Sequence, residues 1–151
     1  MDIGSKSGYP SSSLSNFAPH AFVLDEVQCA SMEGFLQSLK FSNPDMQVEV
    51  CKLVGITVKR RGSKKNWKTT QTLYWRGKPY KRDSEDYQKL LDRAYYALSQ
   101  NASFQRALLA TGNSSLTHSI GKNKINETVL TVQEFTSRLY KLRNELQQKQ
   151  K

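Results

Sequence analysis

The sequence predicts an α+β fold, a mainly helical single domain carrying short β-hairpins. Three observations lead there. Apolar residues recur at helical spacing, most clearly from Tyr87 to Leu98 and from Val132 to Leu146. Helix-start signals stand before several of these runs, and Thr131-Val-Gln-Glu134 is a capping box. Strand-like pieces are short and paired across two or three turn residues, so they read as hairpins and not as a large parallel sheet. A length of 151 residues suits one domain, long enough to bury a core without covalent staples.

In chain order, residues 1–13 are Ser-rich and read as a flexible N-terminal tail. The runs 21-AFVL-24 and 27-VQCA-30 flank Asp25-Glu26 and suggest a first hairpin, although Asp-Glu is not a favoured turn pair. A helix follows from about Ser31 to Phe41, with Ser31 as cap and Glu33 in its first turn. A second helix is capped by Asn43, has Pro44 at its first position and ends near Gly55. A basic loop with Gly62 and Trp67 leads to 71-QTLYW-75 and 79-PYKR-82, a second hairpin turning at Arg76-Gly77-Lys78. Asp83 or Ser84 caps a third helix, whose apolar side is Tyr87, Leu90, Leu91, Ala94 and Leu98. A short fourth helix, 103-SFQRALLAT-111, stops at Gly112. The last helix aligns Val132, Phe135, Leu139, Leu142 and Leu146, and its polar end, 147–151, frays. The domain proper is thus expected over 14–146.

Composition narrows the function classes. Hydrophobic content of 37% and aromatic content of 10% exclude a disordered chain. The apolar runs are too short to span a membrane, and the first residues lack the apolar core of a secretory signal. The expectation is a cytoplasmic chain with no membrane partner. Cys29 and Cys51 fit no metal-ligand spacing and read as free thiols. No Walker loop, dinucleotide fingerprint, zinc-ligand set or nucleophile elbow stands in the sequence, so neither cofactor nor metal is expected.

The net charge of +10 is concentrated. Between Val50 and Arg82 lie eleven basic residues and no acidic one, while the rest of the chain is nearly neutral. Such a segment attracts phosphates or polyanions, or serves only as a solubilising loop.

The segment 31-SMEGFLQSLKF-41 poses a sharper choice. At about 100° per residue, Gln37 lies roughly 40° from Glu33, and Lys40 roughly 20° from it on the other side. Met32, Phe35, Leu36 and Leu39 fill the adjacent arc and face a core. Gly34 and Ser38 form a small-residue flank, and glycine in a helix costs about 1 kcal/mol against alanine. Small residues let another segment approach closely. The polar stripe is then either a wet helix face or the floor of a cleft.

The run 14-LSNFAPHAFVLDEVQCASMEGFLQSLKF-41 resembles the opening of the YbiA-like family, also called NADAR. The shared pattern is Ser15, Asn16 and Phe17, a hairpin ending in a small residue at Ser31, then Glu33, then Lys40 seven positions on. The basic segment with Trp67, the stretch 107-ALLATG-112 and a final helix carrying Arg143 and Leu146 are also similar. The resemblance implies a YbiA-like fold and an N-glycosidase that hydrolyses a ribose–nitrogen bond. The implied partner is a phosphorylated, nucleotide-like or ADP-ribosyl small molecule, or an ADP-ribosylated nucleic acid. Such a substrate brings phosphates to the basic segment and a base that can stack on Trp67 or Trp75. Glu33 would stabilise positive charge on the sugar or activate water. Lys40 would attack the anomeric carbon through a Schiff base if burial lowered its pKa. Gln37 would orient these groups.

One block departs from the family. Many members carry Asp-x-x-Trp-Gly before the last helix, where this chain reads 113-NSSLTHSIGKNKINETVLT-131. His118, Gly121 and Lys122 stand there instead, as in a subgroup with His-Ser-Ile-Gly-Lys and an added hairpin like 72-TLYWRGK-78. His118 is either an acid–base group or a structural histidine. Gly121 and Lys122 form a turn where phosphate could bind. The site expected from the sequence is therefore Glu33, Lys40 and His118 as catalytic groups, with Ser15, Asn16, Phe17, Gln37, Trp67, Gly121 and Lys122 binding substrate. The competing expectation is a non-catalytic ADP-ribose, nucleotide or nucleic-acid binder, which would be indifferent to Glu33.

Overall fold

The computed structural model describes residues 1–54 and 66–150. Gly55, Gly62 and five of the basic residues, Lys59, Arg60, Arg61, Lys64 and Lys65, lie outside the described residues. The architecture is α+β: among the described residues, five helices surround one core and two antiparallel hairpins pack against it.

The first hairpin pairs β1 (Phe22–Leu24) with β2 (Val27–Cys29), Leu24 opposite Val27. Its two turn residues, Asp25 (φ 48°) and Glu26 (φ 69°), are both left-handed. That backbone matches the twist of paired strands but is a poor fit to these residue types. Distant side chains hold it. Trp75 Nε1 donates to Asp25 Oδ2 at 2.8 Å, and Arg93 donates to both carboxylate oxygens at 2.8 Å. Burial alone would raise the Asp25 carboxyl, but these bonds outweigh it and hold it below its ordinary range.

The second hairpin joins β3 (Thr72–Trp75) to β4 (Lys78–Lys81). Trp75 pairs with Lys78, so the turn is two residues, Arg76 (φ 53°) and Gly77 (φ 84°), and not three. Trp75 is 3% exposed and packs edge-on against Phe35, ring centroids 4.9 Å apart. It is a core residue and is unavailable to stack on a base.

Each helix begins at a side-chain cap. α1 (Met32–Ser38) starts at Ser31, whose Oγ accepts from Gly34 N at 3.1 Å. α2 (Pro44–Cys51) starts at Asn43, and α3 (Glu85–Leu98) at Ser84. α4 (Ala102–Ala110) starts one residue earlier than expected because Asn101 accepts from Phe104 N at 3.1 Å. α5 (Val132–Lys149) carries the capping box and stays helical through Lys149. α1 is shorter than its sequence pattern. From Leu39 to Phe41 the chain continues through i→i−3 bonds, and Tyr74 N donates to Leu39 O at 2.8 Å. Gln47 ties this exit to both neighbours, donating to Ser38 O and Tyr74 O and accepting from Arg76 N.

Glu134 has a second role beside the capping box. Its carboxylate takes a bidentate bond from Arg82 at 2.6 and 3.1 Å, with both side chains buried. This pair clamps the end of β4 to the first turn of α5.

Residues 1–13, expected as a flexible tail, pack against the 115–121 loop. Ile3 is fully buried, Asp2 pairs with Thr117, and a short 3₁₀ turn spans Ser11–Leu14. No helix among the described residues is long and apolar enough to cross a membrane.

Candidate functional site

A cavity of about 650 Å³ lies between α1, the 15–17 segment, the residues around Trp67 and the 118–131 loop. It is within the size range of small-molecule sites. All of the residues expected at the site line it. Ser15, Asn16 and Phe17 enter from the chain before β1. Glu33, Gln37 and Lys40 come from α1 and its exit turn, Trp67 from the segment before β3, and His118, Gly121 and Lys122 from the loop before α5.

The stripe on α1 faces the cavity because its flank is pressed elsewhere. A Cβ on Gly34 would lie 3.0 Å from Leu53 O and 3.3 Å from the carbonyls of Val50 and Cys51. Only glycine permits this approach of α1 to the end of α2. Glu33 and Lys40 are half-buried, and Gln37 is buried. Gln37 Nε2 donates to Glu33 Oε1 at 2.8 Å. Gln37 Oε1 is buried and has no hydrogen-bond partner among the described residues.

Asn16 is fixed on both sides. Its carbonyl accepts from Glu33 N at 2.9 Å, and its Oδ1 accepts from Tyr95 OH at 2.7 Å. Burial pushes the Tyr95 phenol well above its ordinary pKa, so it remains a neutral donor. The Asn16 amide nitrogen is thereby left to donate. Phe17 N donates to Ser15 Oγ at 3.2 Å, which closes the turn that presents all three residues.

His118 is anchored by the opening residues. Its Nδ1 lies 2.7 Å from Ile3 O, and a carbonyl only accepts, so Nδ1 carries the proton and a neutral ring keeps its lone pair on Nε2. Its ring meets Phe135 edge-on at 5.2 Å. Asp2 holds the same loop, accepting from Ser119 N at 2.8 Å and Ser119 Oγ at 2.6 Å. Hydrogen bonds from the Ser119 side chain and backbone keep the Asp2 carboxyl below its ordinary range.

Gly121 has a packing role. A Cβ there would fall 2.6 Å from both His118 Cδ2 and Val132 Cγ2. Trp67 is 6% exposed and offers the cavity only a small part of its ring. Lys122 is exposed at the rim, and its carbonyl accepts from Val132 N at 2.9 Å.

Sequence reading missed several lining residues. Ser5 lay in the supposed tail. Asn66 and Lys68 border Trp67, and the sequence marks Lys68 only by its charge. Glu127 adds a second carboxylate to the lining. Thr128 and Thr131 also line the cavity, and the capping box was a usable signal for Thr131. Among the described residues, no cluster of three or more His, Cys, Asp or Glu could hold a metal ion.

The fold is that of a YbiA-like α+β domain. The solved structure of YbiA from E. coli is similar to it with a TM-score of 0.62, covering 99% of this chain and 86% of that one, at 19% identity. The chain belongs to the family described as bacteriophage protein GP30.3, whose model matches residues 8–144. It is 37% identical over 149 residues to a 17.1 kDa protein from the Gp30–rIII intergenic region of Enterobacteria phage T4, covering 97% of this chain and 98% of that relative.

Proposed function

We propose that this chain is an N-glycosidase that hydrolyses the bond between a ribose and a nitrogen in a phosphorylated nucleotide-like or ADP-ribosyl substrate. The observation carrying this reading is the meeting of Glu33, Lys40, Asn16 and His118 on one cavity, from segments far apart in the chain. The resemblance to the NADAR family and the YbiA-like fold support it.

Two routes use these groups. In the first, Lys40 Nζ, as the unprotonated amine, attacks the anomeric carbon. The C–N bond breaks, its electron pair leaves with the base nitrogen, and that nitrogen takes up a proton. In the resulting glycosylamine the lysine nitrogen forms C=N as the ring C–O bond breaks, the ring oxygen taking up the proton that nitrogen gives up, and water hydrolyses this imine to free both sugar and lysine. In the second, water attacks the anomeric carbon directly, Glu33 receives its proton, and the carboxylate offsets positive charge building on the ring. Lys68 and Lys122 at the lining suit the phosphates.

On this reading Lys40→Ala and Glu33→Gln each lower turnover by orders of magnitude while the protein stays folded. Borohydride added during turnover traps sugar on the wild type but not on Lys40→Ala. Full activity of Lys40→Ala rules out the imine route, and full activity of both variants removes Glu33 and Lys40 from the chemistry and leaves their stripe a solvated helix face. The absent acidic block favours a second reading, a binder of ADP-ribose without turnover. Tight binding with no product from wild-type protein would select it.

A further inference from the structure

Gln37 is 7% exposed and yet lines the cavity. Its amide is oriented by Glu33: Nε2 donates to Glu33 Oε1 at 2.8 Å. Turning the amide over would set two acceptor oxygens against each other. The atom left over is Oε1, a buried acceptor without a partner among the described residues. Buried polar atoms are almost always satisfied, and an orphan is costly. A ligand that brings an O–H or N–H here, with a small turn of the Gln37 side chain to uncover the oxygen, removes that cost.

We infer that Gln37 Oε1 accepts a hydrogen bond from the 2′-hydroxyl of the ribosyl substrate and makes the site select ribose over 2′-deoxyribose. The inference rests on the reading above, in which the anomeric carbon sits at Glu33. The hydroxyl on the next carbon is the 2′-hydroxyl, and Gln37 is the residue bonded to Glu33 one helical turn on. Phosphate oxygens only accept at neutral pH, so they cannot satisfy Oε1. Asn16 complements it. With Oδ1 committed to Tyr95, the polar group this cavity-lining residue has left is its amide nitrogen, a donor. The arrangement therefore orients the substrate, sugar hydroxyl towards Gln37 and phosphates towards the lysines. A site built around a substrate hydroxyl rejects an analogue lacking it, because the polar group is then left buried and unpaired.

The test is calorimetric titration of wild-type protein with ADP-ribose and with the analogue lacking the hydroxyl next to the anomeric carbon of its terminal ribose (2″-deoxy-ADP-ribose). The deoxy compound is expected to bind roughly ten- to hundredfold more weakly. In Gln37→Leu the ratio falls towards one, because ADP-ribose loses affinity and the deoxy compound does not. Gln37→Met, closer in shape, gives the same collapse of the ratio, and the wild-type comparison needs no variant. Equal binding of the two sugars to wild type overturns the inference and leaves the ribosyl site standing. Binding of neither overturns the ribosyl reading and this inference with it.

Discussion

Gly34 decides how closely α1 and α2 pack. Adding a methyl group there brings it to 3.0 Å from Leu53 O, a backbone atom that cannot step aside cheaply. Gly34→Ala gains about 1 kcal/mol of helix propensity. It costs about 1–3 kcal/mol in overpacking. Net destabilisation is expected, read as a lower urea midpoint with an unchanged slope. Because Glu33 precedes this glycine and Gln37 follows one turn later, the variant also shifts the cavity floor. Affinity for ADP-ribose should fall alongside stability. At the same scale, Gly121 is fitted between His118 and Val132, so its demand for a small residue has a steric cause.

At the scale of elements, the clamp between β4 and α5 is the most consequential connection. Arg82 bonds Glu134 twice and Thr128 O once, at 2.8 Å, and Thr128 lines the cavity. Burial raises the Glu134 carboxyl, but the bonds from Arg82, Gln88 and Thr131 N outweigh that and hold it below its ordinary value. A depressed carboxyl contributes stability that is complete above its unfolded pKa and is lost as pH falls through the folded one. Glu134→Ala leaves Arg82 as an uncompensated buried charge and should cost about 3–5 kcal/mol near neutral pH. The same variant should flatten the acid limb of the stability curve. Both are read from denaturant midpoints across the acid range, and an unchanged acid limb would show that other carboxylates set it.

Across the whole molecule, the electrostatic asymmetry is the largest feature. The excess of +10 resides between Val50 and Arg82, and the described part of that segment delivers Trp67 and Lys68 to the cavity. If the segment serves substrate, replacing Arg60, Arg61, Lys64 and Lys65 with Gln weakens ADP-ribose binding at low salt. The difference should shrink towards 1 M salt, where the screening length is about 3 Å. Unchanged affinity at low salt would reduce these four residues to a solubility device.

The sequence by itself determined the pieces whose causes are local. Ser31, Asn43, Ser84 and Thr131 cap helices because a side-chain oxygen meets an N–H two or three residues away. Neighbouring strand-like runs close into hairpins, the second on a turn one residue tighter than its sequence suggests, and the Glu33-Gln37-Lys40 stripe follows from helical periodicity. Tertiary structure alone decided the rest. The Asp25-Glu26 turn is held by Trp75 and Arg93, and the clamp on Glu134 comes from Arg82. The opening residues became a wall of the site because Ile3 fills the core and its carbonyl accepts a hydrogen bond from His118 Nδ1, a contact 115 residues apart. The orphaned oxygen on Gln37 belongs to the same group. Local pattern records what one helix or turn does with its own atoms, whereas burial and long-range pairing depend on which segments the collapsed core brings together.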